Sequence, residues 1–298
     1  MSREDLEARR GLTFGQAEGV EPLPMQLARG QITPKTKAKL WEIFEVLIRK
    51  NIDYSRTTYQ SYIREHVRTI LVRYYVDFDH KFADSFPSDP GRAKDYFRNI
   101  FLAGTYVNIF NFIQHVLQCS NEPNELSEKV DKVLKDELSA YRVYDYNLIA
   151  PVGSDVDANS IQTALAKTRA HGAQGARSHI RNAIQAFNSN DYPSSIEHSI
   201  SAIESLARII SGEPKAELGK ALSRIDQSAN IHGSMKIAFT KLYGYTSDEE
   251  GLRHSLLYKE KADADEADAL FMISACSAFA TYLIARATEA GISLTDPA

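Results

Sequence analysis

The apolar positions of the chain repeat mostly at the three- and four-residue steps of an α-helix. Leu40, Phe44 and Leu47 follow this period after Thr33-Pro34, which is typical of an N-cap residue followed by a proline in the first turn. This pattern predicts a helix at about 34–50. Three more helices are predicted in the first half: one carrying Ile63, Val67, Ile70, Leu71 and Tyr74, one from about Arg92 to Cys119, and one carrying Leu126, Val130, Val133, Leu134, Leu138 and Tyr141.

Two segments of the first half depart from the helical period. Residues 1–30 contain repeated glycine and proline, so we expect an extended arm that packs on the first domain. From Arg142 to Val152, two short apolar runs flank Asp145-Tyr146-Asn147, which favours a short β-hairpin. We place the domain boundary at this hairpin and predict domains at 1–152 and 153–298.

The second half is again helical in pattern. Ser154 or Asp155 can cap a helix that carries Ile161 and Leu165. Further helices are predicted at about 173–187, 218–226, 231–243 and 263–287, and along the narrow stripe of Ile196, Ile200, Ile203, Ala207 and Ile210. The predicted fold class is therefore mainly α, with two helical domains and a short β-hairpin at their junction.

Composition is typical of a folded globular protein. Hydrophobic residues make up 43% of the 298 residues, and 35 Lys+Arg against 39 Asp+Glu give a net charge of -4. Any RNA contact must therefore come from a local basic patch. The two cysteines lie in different predicted domains and the charged N-terminus lacks a secretory signal, which favours a cytoplasmic location. The uncharged segment 269–285 is interpreted as a buried bundle helix, and we expect no membrane attachment.

Several catalytic motifs are missing from the sequence. The chain has no GxxxxGK phosphate loop, dinucleotide fingerprint, paired cysteines, HExxH motif or serine elbow between glycines. NTP hydrolysis, hydride transfer and zinc hydrolysis are therefore disfavoured. We expect no cofactor and no metal ion.

Arg253 and His254 form the first candidate site. An arginine can hold a phosphate with two donors and a histidine can transfer a proton near neutral pH, so the pair suits attack by an RNA 2'-hydroxyl. The alternative is a capping or salt-bridge pair. Glu204 shares a helix face with Glu197 and Arg208 and could orient the Arg-His pair, but its i,i+4 spacing from Arg208 also gives it a structural role.

A second candidate surface mixes basic and aromatic residues. Arg56, Arg64 and Arg68 could neutralise RNA phosphates while neighbouring tyrosines stack on bases, and Lys259 is a further candidate cation in the second domain. The neighbouring tyrosines are Tyr59, Tyr62, Tyr74 and Tyr75. Alternatively, Tyr59, Tyr62 and Tyr74 belong to the core, and Arg64 and Arg68 form a solvated face.

The chain also resembles a known family. The run from Phe14 to Pro24 contains a phenylalanine, a Glu-Gly pair and a proline, and Leu40-Trp41 follows, as in the N-terminal domain of AbiJ-type abortive-infection proteins. The second half resembles the HEPN-like domain fused to it. The motifs that carry this second resemblance are Asp191-Tyr192 with Ile196, Ala202 and Glu204, Leu242-Tyr243-Gly244-Tyr245 through Arg253-His254, and Ala275-Cys276-Ser277-Ala278-Phe279 with Tyr282-Leu283.

The resemblance implies an up-and-down helical bundle that forms a homodimer and, in active members, a metal-independent endoribonuclease where two protomers meet. Those nucleases carry an arginine followed after four to six residues by a histidine, whereas Arg253 and His254 are adjacent. Two hypotheses follow. The protein is either a phage-defence toxin that binds or cuts RNA through Arg253, His254 and Glu204, or a non-catalytic sensor or dimerisation scaffold. The sequence is also consistent with a third alternative, in which the first domain is the RNA-binding module and the bundle only dimerises it, and with a partner protein of the defence system.

Overall fold

Amphipathic helices fill most of the chain in a computed structural model, which describes residues 13–21, 23–57, 59–213, 218–226, 232–247 and 264–295. The mainly helical fold class and the short hairpin near the middle of the chain are confirmed. The chain divides into two units, Met1–Ala140 and Tyr141–Ala298. By this division the hairpin belongs to the second unit, whereas the boundary predicted from the sequence followed it.

The first unit consists of helices with one small hairpin. Its elements are α1 Phe14–Ala17, α2 Pro34–Lys50, β1 Ile52–Tyr54, β2 Ser61–Ile63, α3 Glu65–Asp77, a single 3-10 turn Ala83–Ser85, α4 Pro90–Ala103, α5 Tyr106–Cys119 and α6 Pro123–Asp136. Helix α2 packs against α4 and α6, and α3 packs against α5. The predicted aromatic core is present, since Phe44, Phe97, Phe101, Phe112 and Tyr74 are all buried.

The helix predicted from Arg92 to Cys119 is two helices, α4 and α5. The backbone at Gly104 is extended, and Thr105 caps α5 by accepting a hydrogen bond from the Asn108 N–H while the Asn108 side chain accepts one from the Thr105 N–H. A Cβ at Gly104 would overlap the Ile100 carbonyl oxygen. Apolar periodicity continues through this break, because both helices bury a face in the same core, and so the spacing alone predicted one helix.

The N-terminal arm and the first hairpin also differ from expectation. The arm includes the short helix α1, which Thr13 and Gln16 cap reciprocally. Further along, the Leu27 N–H donates to the Leu138 carbonyl at 2.8 Å, so part of the arm is tied to the end of the first unit. The antiparallel pair β1 and β2, in which Ile52 is opposite Ile63, was not predicted, because two three-residue strands are too short to show a period.

The second unit is a hairpin followed by helices. Its elements are β3 Tyr141–Tyr144, β4 Leu148–Pro151, α7 Asp155–Ala170, α8 Gln174–Asn188, α9 Tyr192–Ser211, α10 Leu218–Asp226, α11 Gly233–Ser247 and α12 Glu266–Glu289. Ser154 caps α7 by accepting a hydrogen bond from the Asp157 N–H. Short turns join α7, α8 and α9, so consecutive helices run antiparallel.

Helix α9 is the centre of this unit, where it packs against α8, α10 and α12, and α12 packs against α7. The apolar stripe predicted on α9 is buried, and the helix ends at Gly212 in a left-handed conformation that favours glycine. By length and composition α12 could cross a membrane. In the structure, however, Ala280 and Leu283 of this helix are completely buried in the protein core.

Candidate functional site

Glu204, predicted as an orienting residue, lies on α9 with only 12% of its side chain exposed. Its carboxylate accepts a hydrogen bond from Arg208 Nη2 at 3.5 Å. The predicted i,i+4 pair is therefore present. Because Glu204 is nearly buried, its charge acts in a medium that screens it less than water would.

Two histidines that the sequence did not single out lie close to Glu204. His179 on α8 and His198 on α9 are both half-buried, and their ring centroids are 5.7 Å apart. The Nδ1 atom of His179 is buried and has no hydrogen-bond partner among the described residues. We call His179, His198, Glu197, Glu204 and Arg208 the two-histidine cluster.

The electrostatics of this cluster favour a neutral His179. Burial is the main cause that lowers the pKa of His179 below its usual value, and the nearby His198 and Arg208 lower it further. Glu204 and Glu197 act in the opposite direction because they favour the imidazolium. A histidine that is neutral at pH 7 can accept a proton, and a carboxylate beside it stabilises the cation that forms. The cluster can therefore perform general acid–base chemistry.

The approach of the two histidines depends on how α8 and α9 pack. Ser195 is buried and its hydroxyl donates to the Ala183 carbonyl at 2.9 Å, which fixes the position of α9 along α8. In the sequence, His198 could have been placed on the face adjacent to Glu204 by helical spacing. His179 could not, since it lies on a different helix.

Three predicted site residues, Arg253, His254 and Lys259, lie outside the described residues. Of the site residues predicted in the second unit, Glu204 is the one that lies within the described residues. Within the described ranges, no three His, Cys, Asp or Glu side chains are grouped so as to hold a metal ion. Cys276 is buried, and burial raises the pKa of its thiol to about 12, so this cysteine is a core residue and not a nucleophile.

The first unit contains a groove of about 860 Å³ between α2, α3 and α6. Apolar residues such as Leu47, Val67 and Leu126 form part of its surface, and Arg64 lies on its edge with an ion pair to Asp53 at 3.6 Å. The basic residues that line it are Lys39, Lys50, Arg64, Lys129 and Lys132. Three glutamates also line the groove, so its charge is mixed.

The predicted basic and aromatic surface separates into core and surface residues. Tyr74 is buried in the core, as the alternative interpretation predicted, and Tyr75 is buried as well. Tyr59 and Tyr62 are 77% and 44% exposed and lie on the β1–β2 hairpin.

The three predicted arginines of the first unit occupy different surroundings. Arg56 is exposed in the turn of the β1–β2 hairpin, and Arg64 precedes α3 at the groove. Arg68 lies over the ring of Phe86 at 5.5 Å. Arg56 therefore lies on the hairpin and Arg64 at its base, whereas Arg68 packs against the core.

Fold and site together define a mainly helical protein of two units, with a basic and aromatic hairpin in the first and an acid–base cluster in the second. A sequence model of the AbiJ N-terminal domain 4 family matches residues 13–167, so the chain belongs to this family. This membership gives the protein a role in abortive infection, a defence against phage. No curated protein and no solved structure matches the chain.

Proposed function

We propose that this abortive-infection protein binds RNA and cleaves it without a metal ion, through a HEPN-like second unit that works as a homodimer in the cytoplasm. The observation that carries the proposal is the half-buried cluster in which a neutral His179 lies beside His198 and Glu204. The resemblance of the motifs that flank Arg253-His254 to HEPN-like domains supports it, although the two residues are adjacent where active members separate them by four to six positions.

The chemistry follows from the residue types. A neutral histidine removes the proton of a ribose 2'-hydroxyl, and the oxygen attacks the adjacent phosphorus. The bond from phosphorus to the 5'-oxygen breaks, and that oxygen takes a proton from a protonated histidine. The products are a 2',3'-cyclic phosphate and a 5'-hydroxyl. In this scheme Arg253 holds the phosphate, His254 and His179 carry protons, and Glu204 is a positioning residue that stabilises the imidazolium.

A cleavage assay in a chelating buffer tests this function. Purified full-length protein is incubated with end-labelled single-stranded RNA, and the cyclic phosphate is identified by mass. His254→Ala is expected to slow cleavage by about 100-fold, the size of a general acid–base contribution. Arg253→Ala and Glu204→Gln are also expected to slow cleavage, because the first removes the cation that holds the phosphate and the second the carboxylate that stabilises the imidazolium. Glu289→Gln is the matched control, because Glu289 forms a surface pair with Arg286. Intact RNA with the parent protein would contradict the proposal.

A non-catalytic sensor or scaffold is the second candidate. The observation that favours it is the Glu204–Arg208 pair, which gives the nearly buried carboxylate a structural role. Thermal melting of His254→Ala separates the two roles. A large loss of stability indicates a structural residue, and an unchanged melting temperature with lost toxicity in cells indicates a catalytic one.

The exposed hairpin of the first unit is the proposed RNA-binding surface. Tyr54, Tyr59 and Tyr62 are all exposed beside Arg56 and Arg64, so bases can stack on the rings while the guanidiniums meet phosphates. Tyr59→Ala is expected to weaken binding of a single-stranded RNA by roughly tenfold, measured by fluorescence anisotropy with the full chain. Phe82→Ala, which removes an equally exposed ring outside the hairpin, is the control. Equal losses in both variants would refute the assignment.

A further inference from the structure

Three arginines converge on one carboxylate at the tip of the β3–β4 hairpin. The Asp145 side chain is completely buried, and its carboxylate accepts hydrogen bonds from Arg169 on α7 and from Arg177 and Arg181 on α8. The distance to a carboxylate oxygen is 2.8 Å from Arg177 Nη2 and 2.6 Å from Arg181 Nη1. These arginines are not members of the two-histidine cluster, although Arg177 and Arg181 lie two residues before and after His179 along α8.

The charges in this group do not balance. Three guanidiniums and one carboxylate leave a net charge of +2, and Asp145 is the one carboxylate among the described residues that pairs with these arginines. A single arginine would suffice to compensate a buried carboxylate, and each additional one adds repulsion. The three side chains are 24% to 29% exposed, so the excess positive charge reaches solvent.

The hairpin turn requires a left-handed backbone conformation at two successive residues. Asp145 and Tyr146 have φ angles of 49° and 69°, a left-handed region that a bulky tyrosine rarely adopts. This turn places the Asp145 carboxylate among the arginines. It also places the centroid of the Tyr146 ring 4.1 Å from the guanidinium carbon of Arg169. The ring and the cations therefore present one partly exposed surface.

The start of α8 adds to the same positive field. The helix begins at Gln174, and its N-cap residue Ala173 provides no side-chain hydrogen bond. Arg177 lies within the first turn, where the helix dipole also favours an anion. Arg181 follows one turn later on the same face.

We propose that Arg169, Arg177 and Arg181, with Tyr146 beside them, form a phosphate-binding site in the second unit. Guanidinium groups match the oxygens of a phosphate through paired N–H donors, and an aromatic ring at the edge suits a nucleotide more than a bare ion. The phosphate belongs either to an RNA backbone or to a free nucleotide. The inference does not depend on cleavage or on Arg253 and His254.

Single substitutions test the site, because each leaves two arginines to hold Asp145. Arg177→Gln and Arg181→Gln are compared with Arg286→Gln, which removes an equal charge from a surface pair on α12. Binding of a fluorescein-labelled single-stranded RNA is measured by anisotropy at several salt concentrations. Binding of ADP and of inorganic phosphate is measured by the rise in melting temperature, which also shows that each variant is folded.

The expected result is a roughly tenfold loss of affinity in Arg177→Gln and Arg181→Gln, with Arg286→Gln unchanged. If the loss is seen with RNA, and the salt dependence also falls by roughly 0.7 per lost contact, the phosphate is that of the RNA backbone. If it is seen with ADP alone, the ligand is a free nucleotide, and the site stands even where the parent leaves RNA uncut. Parent-like binding of every probe by both folded variants would overturn the proposal, as would a parent protein that binds none of them.

Discussion

Phe112 shows how strongly single residues determine the stability of the first unit. It is fully buried on α5, and its ring centroid lies 5.2 to 5.7 Å from those of Phe44, Tyr74, Phe97 and Phe101. Aromatic contacts of this kind add to the free energy gained by burial. The ring also joins α5 to α2, α3 and α4, so its loss affects several helices at once.

Phe112→Ala is therefore expected to lower the free energy of unfolding by about 3–5 kcal/mol, the usual cost of a cavity of this size. Phe82→Ala removes a ring that is 83% exposed and should change stability by less than about 0.5 kcal/mol. Urea denaturation of both variants measures the difference. Similar destabilisation by the two substitutions would show that the ring cluster is not the core of this unit.

The titration of His179 gives a second expectation at the scale of the residue. The pKa of His179 in the fold is below the ordinary value of 6.5, first because of burial and then because of His198 and Arg208. Below about pH 6.5 the unfolded chain binds a proton that the folded chain does not. Stability at neutral pH is therefore lost as the pH falls from about 6.5 through the pKa of the folded state.

His179→Gln removes this proton difference, so its melting temperature should fall less than that of the parent between about pH 7.5 and pH 5. Thermal melts at a series of pH values measure the effect. A His66→Gln variant is the control, because His66 is exposed. If the parent and His179→Gln lost stability equally on acidification, His179 would not be held neutral by its surroundings.

Among the elements, the break between α4 and α5 was not predicted, and a substitution at Gly104 tests its cause. Gly104→Ala places a methyl group against the Ile100 carbonyl oxygen, which is backbone and cannot rotate away. We expect a loss of about 1–3 kcal/mol, in the range of overpacked sites. Gly219→Ala, in a helix where nothing lies within 4 Å of the new Cβ, should instead stabilise by up to about 1 kcal/mol. Chemical denaturation gives the signs, and a neutral Gly104→Ala would contradict this cause of the break.

Long elements were predicted more accurately than short ones. Long helices with a regular apolar stripe, such as α2 and α9, were predicted nearly to their ends, because many buried positions repeat the same period. The β1–β2 hairpin was missed, since six paired residues contain too few positions to show a pattern. Because the hairpin was not predicted, the sequence did not distinguish Tyr59, which is exposed on it, from Tyr74, which is buried in a helix.

For the molecule as a whole, fold class and family could be predicted from the sequence, whereas two groups of side chains found in the structure could not. The motifs around Phe14 and Leu40-Trp41 predicted the AbiJ family, which the match to residues 13–167 confirms. The two-histidine cluster and the arginines around Asp145 arise from contacts between different helices. Such contacts depend on packing, and periodicity along one helix contains no information about them.

Dimer formation can be tested together with cleavage. If the proposed nuclease site is formed where two copies meet, cleavage requires the dimer and its rate per chain must fall on dilution. Light scattering should give twice the chain mass of 33.4 kDa at concentrations where RNA is cut. On dilution, mass and specific activity should decrease over the same concentration range, because both follow one association equilibrium.

His254→Ala should keep the dimer mass while losing activity, which separates assembly from chemistry. Full specific activity in a strictly monomeric particle would contradict a shared site, since each chain would then cut RNA with its own residues.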